Sequence, residues 1–204
     1  MTGSHLNLIG GQWHHSDELT ENRNPSDLSD MIGLYAAGSA ADLDQAAAAQ
    51  PAWFAGGPQL RADLPHRIAA RIDEQADIIG HMLAREEGKI LTEAIAEVRR
   101  AAQIFCFYAG EALRMPGEAL ASLRPDIEVQ ITREPAGVVG LITPWNFLAA
   151  IPVWKIAPAL AYGNAVVFKP AELVPGTAHL LARIIYDAGC PPGVFNLVMG
   201  RGSV

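Results

Sequence analysis

In the last third of the chain, three short apolar runs each give way to a polar or glycine-rich cluster. Residues 138–142 lead into Thr143-Pro144-Trp145-Asn146, residues 165–168 into Lys169-Pro170-Ala171-Glu172, and residues 195–199 into Gly200-Arg201-Gly202. Strands buried on both faces of a parallel sheet read as such continuous apolar runs. About 20 residues lie between the first two runs, enough for the helical crossover that parallel neighbours need. Open parallel sheets bind ligands outside the carboxyl ends of their strands, so the three clusters are where cofactor-binding or reactive side chains are expected. The sequence stops at Val204, two residues beyond Gly202, where a unit of this kind would open its next helix. The sheet is therefore expected to be partial.

Composition narrows the partners. Of 204 residues 50% are hydrophobic and 18% charged, slightly oily for a soluble protein, an excess that an oligomer interface or a missing partner surface would account for. The net charge is −7 and no Lys/Arg block occurs, which argues against a phosphate-tracking nucleic-acid surface. Two cysteines make no disulfide framework, and the opening Met-Thr-Gly-Ser-His lacks the basic start and apolar stretch of a signal peptide, so a cytoplasmic location is expected. Pro144, Asn146, Pro152, Lys155, Pro158 and Asn164 interrupt the apolar region 138–168 before it reaches the ~20 residues of a membrane span. His14-His15 stands without ligands at zinc spacing and reads as surface; no metal site is expected.

Earlier segments give a helical region and one isolated strand. Ile9-Gly10-Gly11-Gln12-Trp13 suggests a small hairpin and Asn24-Pro25 a turn. An alanine-rich stretch over 40–55 predicts a helix. Leu60, Leu64, Ile68, Ile72, Ala76, Ile79 and Leu83 then form one helical stripe ending at Gly88, and Leu91, Ile95, Val98, Ala102, Phe105 and Ala109 form another ending at Gly110. Cys106, between two phenylalanines, reads as a buried inert thiol; Cys190 reads as a turn residue. Over 125–135, Ile127, Val129 and Ile131 alternate with polar residues, predicting an edge strand with one wet face. Helices are expected near 149–162, kinked or short of a hydrogen bond at Pro158, and near 175–188.

The stretches Ile142-Thr143-Pro144-Trp145-Asn146-Phe147, Trp154-Lys155-Ile156-Ala157-Pro158, Phe168-Lys169-Pro170-Ala171-Glu172 and Pro192-Gly193-Val194-Phe195-Asn196 together resemble the NAD(P)-dependent aldehyde dehydrogenases. Wording around 158–168 and 197–204 is most similar to semialdehyde dehydrogenases acting on oxo-acids, such as those for 2,5-dioxovalerate, also called alpha-ketoglutaric semialdehyde. The resemblance implies an α/β fold with a partial Rossmann-like parallel sheet, preceded by amphipathic helices and an oligomerisation-type strand segment. Its divisions would be 1–124 (helical part of the cofactor-binding domain), 125–135 (strand of an oligomerisation hairpin) and 136–204 (start of the cofactor-binding sheet).

The resemblance also implies roles. Asn146 would donate its amide to the oxygen of a cysteine thiohemiacetal, where its plainer alternative is a helix cap. Lys169 and Glu172 would meet the adenosine ribose, Glu172 favouring NAD while leaving NADP possible. Ile142, Thr143 and Pro144 would line the dinucleotide, Trp145 would either cover it or fill core, and Gly200 and Gly202 would begin a glycine-rich turn beside it. The family's nucleophilic cysteine and water-activating glutamate match no residue here, so the chain is expected to be inactive alone. The whole enzyme would oxidise a small aldehyde to an acid, as a homo-oligomer. The rival expectation is a non-catalytic truncated module that associates with full-length subunits.

Overall fold

The structure, a computed structural model, describes residues 4–44 and 50–202. Strands β1 (Asn7–Ile9) and β2 (Gln12–His14) form the expected hairpin, with Gly10 and Gly11 at φ 59° and 80° supplying the left-handed turn that matches strand twist. A second hairpin, β3 (Leu19–Asn24) and β4 (Asp27–Ala36), turns at Pro25. Helices α1 (Ala40–Asp44) and α2 (Gln50–Ala55) occupy the two ends of the expected alanine-rich helix; its middle, 45–49, lies outside the described residues.

The first long stripe is two helices rather than one: α3 (Gly57–Glu74) and α4 (Ala76–Glu87) meet at Gln75, which leaves helical geometry at φ −106°, ψ 14°. The spacing Ile72, Ala76, Ile79, Leu83 runs unbroken across this joint, so periodicity alone could not reveal it. Gly88 closes α4 in the left-handed region at φ 74°. Helix α5 (Leu91–Ala112) follows. Strand β6 (Glu128–Ile131) forms an antiparallel hairpin with β5 (Glu118–Ala121), whose residues the sequence pattern did not mark as a strand. Every residue of both strands is exposed, so β6 has two wet faces instead of one. The hairpin pairs with itself rather than with the main sheet, so among the described residues no second layer covers the apolar side of Val129 and Ile131.

Strands β7 (Val138–Ile142), β8 (Ala165–Lys169) and β9 (Phe195–Leu197) run parallel, linked by α6 (Ala150–Ala161) and α7 (Pro175–Asp187). Helix α6 continues through Pro158 without a break. The sheet order is β2-β1-β9-β8-β7, because the amino-terminal hairpin docks antiparallel on β9 at Leu8 and Leu197. The sheet thus has five strands, three of them parallel; β7 has no neighbour on its outer side among the described residues. Ile68, Ile72, Leu83, Val98 and Phe105 of the amphipathic helices are buried with Ile156, Leu160, Leu181 and Ile185 of the crossovers and Val166, Phe168 and Leu197 of the sheet. Each such side chain contributes roughly 1.5–3 kcal/mol by leaving water. Among the described residues no helix is long and apolar enough to cross a membrane.

Candidate functional site

The parallel ladder decides where the three polar clusters go. Ile142 is in register with Lys169, the N–H of Thr143 donates to the carbonyl of Lys169 at 3.4 Å, and the N–H of Val198 donates to the carbonyl of Phe168 at 2.9 Å. All three strands therefore release their chains at one rim. A cleft of about 340 Å³ opens there, within the usual range for small-molecule sites. Leu141, Val167, Val198 and Met199 give it an apolar floor, and Ile142, Lys169, Arg201 and Gly202 stand around it.

Of the residues singled out from sequence, Ile142, Lys169 and Gly202 line this cleft together. Thr143 is buried beside Lys169 through its backbone bond. Pro144, Trp145 and Asn146 continue from the same rim as an exposed turn leading into α6, and Glu172 is exposed beyond β8; none of these four lines the cleft. Trp145 is 60% exposed, which removes the core-filling alternative. Asn146 is not the cap of α6 either: Ala149 holds that position, with no side-chain cap of its own.

The capping is done from another helix. Oε1 of Glu97, on α5, accepts from the N–H groups of Ala149 at 2.8 Å and Ala150 at 3.1 Å, where a carboxylate suits the helix dipole. Its Oε2 accepts from Lys89 Nζ at 2.8 Å. Lys89 also pairs with Glu87 at 3.1 Å, reaches the carbonyl of Asn146 at 3.5 Å and lies 4.4 Å from the centre of the Phe147 ring. Burial disfavours the charged form of Lys89, but hydrogen bonds to Glu97 and Glu87 outweigh it and hold the pKa above the ordinary lysine value.

Sequence reasoning missed Gly38 and Ser39, which come from the end of β4 and complete the cleft wall. The N–H of Gly38 donates to the carbonyl of Met199 at 2.6 Å, and a Cβ on Gly38 would overlap Cγ1 of Val198. Gly200, at φ 136°, faces it. The missed signal has the same form as the others: an apolar run, Leu34-Tyr35-Ala36-Ala37, ending in Gly38-Ser39. The glycine-rich wall and apolar floor, with Lys169 and Arg201 at the mouth, leave room for a flat, largely apolar ligand with an anionic group beside the two cations.

One cysteine expectation is corrected. Cys106 is exposed, because the inward face of α5 carries Ala102, Phe105 and Ala109 and adjacent residues turn about 100° away from it. Burial pushes the Cys190 thiol up to about 12, in keeping with an inert turn residue. His15 is exposed and His14 half-buried, and the described residues hold no group of three metal-ligating side chains.

Residues 13–204 match the aldehyde dehydrogenase family. The chain belongs to that family. It is 39% identical to the alpha-ketoglutaric semialdehyde dehydrogenase of Bacillus subtilis over 98% of its own length and 42% of the relative's. Its fold superposes on the crystal structure of lactaldehyde dehydrogenase from Escherichia coli with a TM-score of 0.95 at 35% identity, covering 100% of this chain and 44% of that one. Betaine aldehyde dehydrogenase from Staphylococcus aureus, crystallised in complex with NAD+, gives 0.92 at 33% identity, covering 98% of this chain and 42% of that one. The chain therefore spans less than half the length of the aldehyde dehydrogenases it matches.

Proposed function

We propose that this chain forms the amino-terminal part of an NAD(P)-dependent semialdehyde dehydrogenase, and that the cleft at the carboxyl ends of β7, β8 and β9 holds the adenosine half of the cofactor. The observation that carries this reading is the in-register pair Ile142 and Lys169 on adjacent parallel strands, at the mouth of a cleft closed by Gly38 and Gly202. Lys169 would hydrogen-bond the ribose hydroxyls. Glu172 at the outer edge would accept from a free 2′-hydroxyl and repel a 2′-phosphate, which favours NAD. The nicotinamide would supply a hydride acceptor. Asn146, on the exposed turn of the same rim, would offer a neutral amide donor to the aldehyde oxygen as negative charge develops on it. Resemblance to the relative from Bacillus subtilis supports an oxo-acid semialdehyde as substrate.

The test is the kinetics of Asn146→Ala in the full-length enzyme, with the 204-residue chain assayed alongside on NAD and a semialdehyde. Removing a donor of this type should lower kcat by about 100- to 1,000-fold with little change in NAD affinity. The short chain should give no cofactor reduction above blank. A variant with intact kcat overturns the role of Asn146; turnover by the short chain overturns its incompleteness.

One feature is compatible with the rival reading, a non-catalytic module that associates with full-length subunits, as well as with the first. The β5–β6 hairpin exposes Leu120, Ile127, Val129 and Ile131, a surface suited to pairing with full-length subunits whether or not the chain is catalytic.

A further inference from the structure

Asn146 lies on an exposed turn, yet a hydrogen-bond donor to a developing oxyanion is useful only if it is fixed before charge appears. Within 146–150, four of the five residues touch Lys89 or Glu97: the carbonyl of Asn146, the ring of Phe147, and the N–H groups of Ala149 and Ala150. The two side chains are themselves joined at 2.8 Å. Glu97 projects from a stretch of α5 whose neighbours Ala94, Val98 and Ala101 are fully buried, so it gives the turn a rigid reference point. Lys89 follows Gly88, the left-handed stop of α4, which directs the chain toward that turn. Neither residue lines the cofactor cleft.

We propose that Lys89 and Glu97 act as positioning residues for Asn146, clamping the β7–α6 turn from both ends so that its amide is presented in one orientation. The proposal rests on the donor role given to Asn146 above. Glu97 holds the start of α6 through two backbone donors. Lys89 neutralises the buried carboxylate and extends its hold to the carbonyl of Asn146 and the face of Phe147, the latter as a cation–π contact. Removing the ammonium leaves the helix start capped but frees the turn ahead of it. A purely structural cap would affect folding and every downstream activity together. A clamp acting through Asn146 loses its effect once that amide is gone.

A double-mutant cycle in the full-length dehydrogenase separates these cases, with kcat, KM for the aldehyde, Kd for NAD and thermal midpoint measured for each variant. Lys89→Met should lower kcat about tenfold, the typical cost of losing an outer-shell support, with NAD affinity near that of the parent enzyme. In an Asn146→Ala background the same change should lower kcat by less than about twofold, and Lys89→Arg in the parent should restore most of the loss. Should Lys89→Met fail to accumulate as folded protein, Glu97→Gln, which keeps an acceptor for Ala149 and Ala150, should show the same non-additivity. Equal losses with and without Asn146, or no loss at all, overturn the clamp. Loss of the donor role itself is recognised separately, because Asn146→Ala alone would then leave kcat intact.

Discussion

At the start of α6 the carboxylate of Glu97 takes the N–H groups of Ala149 and Ala150, and at the start of α7 that of Glu86 takes those of Gly176 and Thr177, both at 2.6 Å. Both acids come from the amphipathic helices and cap a crossover helix across the core, yet their remaining partners differ. Glu86 is completed by the hydroxyl of Thr177 at 2.6 Å and the amide of Asn22, neutral donors that are themselves buried. Gly176 is packed so closely there that a Cβ would meet the Tyr35 hydroxyl and the Met82 sulfur. Glu97 is completed by a cation that continues into the exposed turn carrying Asn146. One capping device therefore serves two ends: at α7 it ties the β3–β4 hairpin and α7 to α4, and at α6 it carries the core's rigidity outward to the candidate site.

On that contrast, Glu86→Ala should be the more damaging change, because it strands two buried helix N–H groups, a hydroxyl and an amide. Urea unfolding of the 204-residue chain should show a loss of about 3 kcal/mol or more. Glu97→Ala, at a buried helix start that follows an exposed turn, should cost about 1–2 kcal/mol. Equal losses at the two positions would break the comparison.

The start of α7 and the turn ahead of α6 should also loosen at opposite ends of the pH scale. His179, on α7, is packed among His5, Trp13 and Tyr35, and burial first, then His5 and Arg183, lower its pKa from 6.5 to about 4. A depressed histidine gives stability that is complete above its unfolded pKa and is lost as pH falls through the folded one. The contribution, on the order of 3 kcal/mol, should thus fade between pH 6.5 and 4. Lys89 has a raised pKa, so its contribution is complete below 10.5 and is lost only as pH rises beyond that. Amide exchange, corrected for the intrinsic effect of pH, should show acid opening α7 before α6, and alkali freeing the turn ahead of α6 while α7 stays closed. His179→Phe should flatten the acid slope; an unchanged slope would place the titrating group elsewhere.

What the sequence disclosed follows from the range of the physics. The β7, β8 and β9 runs, their crossovers and the rim shared by Ile142 and Lys169 were legible because strand period, helix stops and parallel connections act over about 30 residues. The docking of β1 on β9 was not, since Leu8 and Leu197 are brought together by the fold rather than by any local pattern. The joint at Gln75 was hidden by an unbroken stripe, and the exposure of Cys106 by its aromatic neighbours. The two capping acids did leave a trace. Ile79, Leu83 and Glu86 are spaced four and three apart, as Ala94, Glu97 and Ala101 are spaced three and four, so each carboxylate sits on its helix's apolar stripe. A charge on a buried stripe needs a partner, so both positions carried a signal that a reading centred on the strand ends passed over.

The smallest effect tests how the α7 cap divides its work. Thr177 is fully buried and gives Glu86 Oε2 both its backbone N–H and its hydroxyl, each at 2.6 Å. Thr177→Val keeps the shape and the β-branched preference of the side chain while deleting only the hydroxyl bond. Because the backbone donor remains, the carboxylate is not orphaned, and the cost should be about 1–1.5 kcal/mol, well below that of Glu86→Ala. Urea midpoints with an unchanged slope would read it directly. A neutral substitution would mean that backbone groups and Asn22 alone hold Glu86, making the α7 cap closer in kind to the α6 cap. A cost equal to Glu86→Ala would mean that the hydroxyl is the keystone of the pocket and that the N–H bonds form only around it.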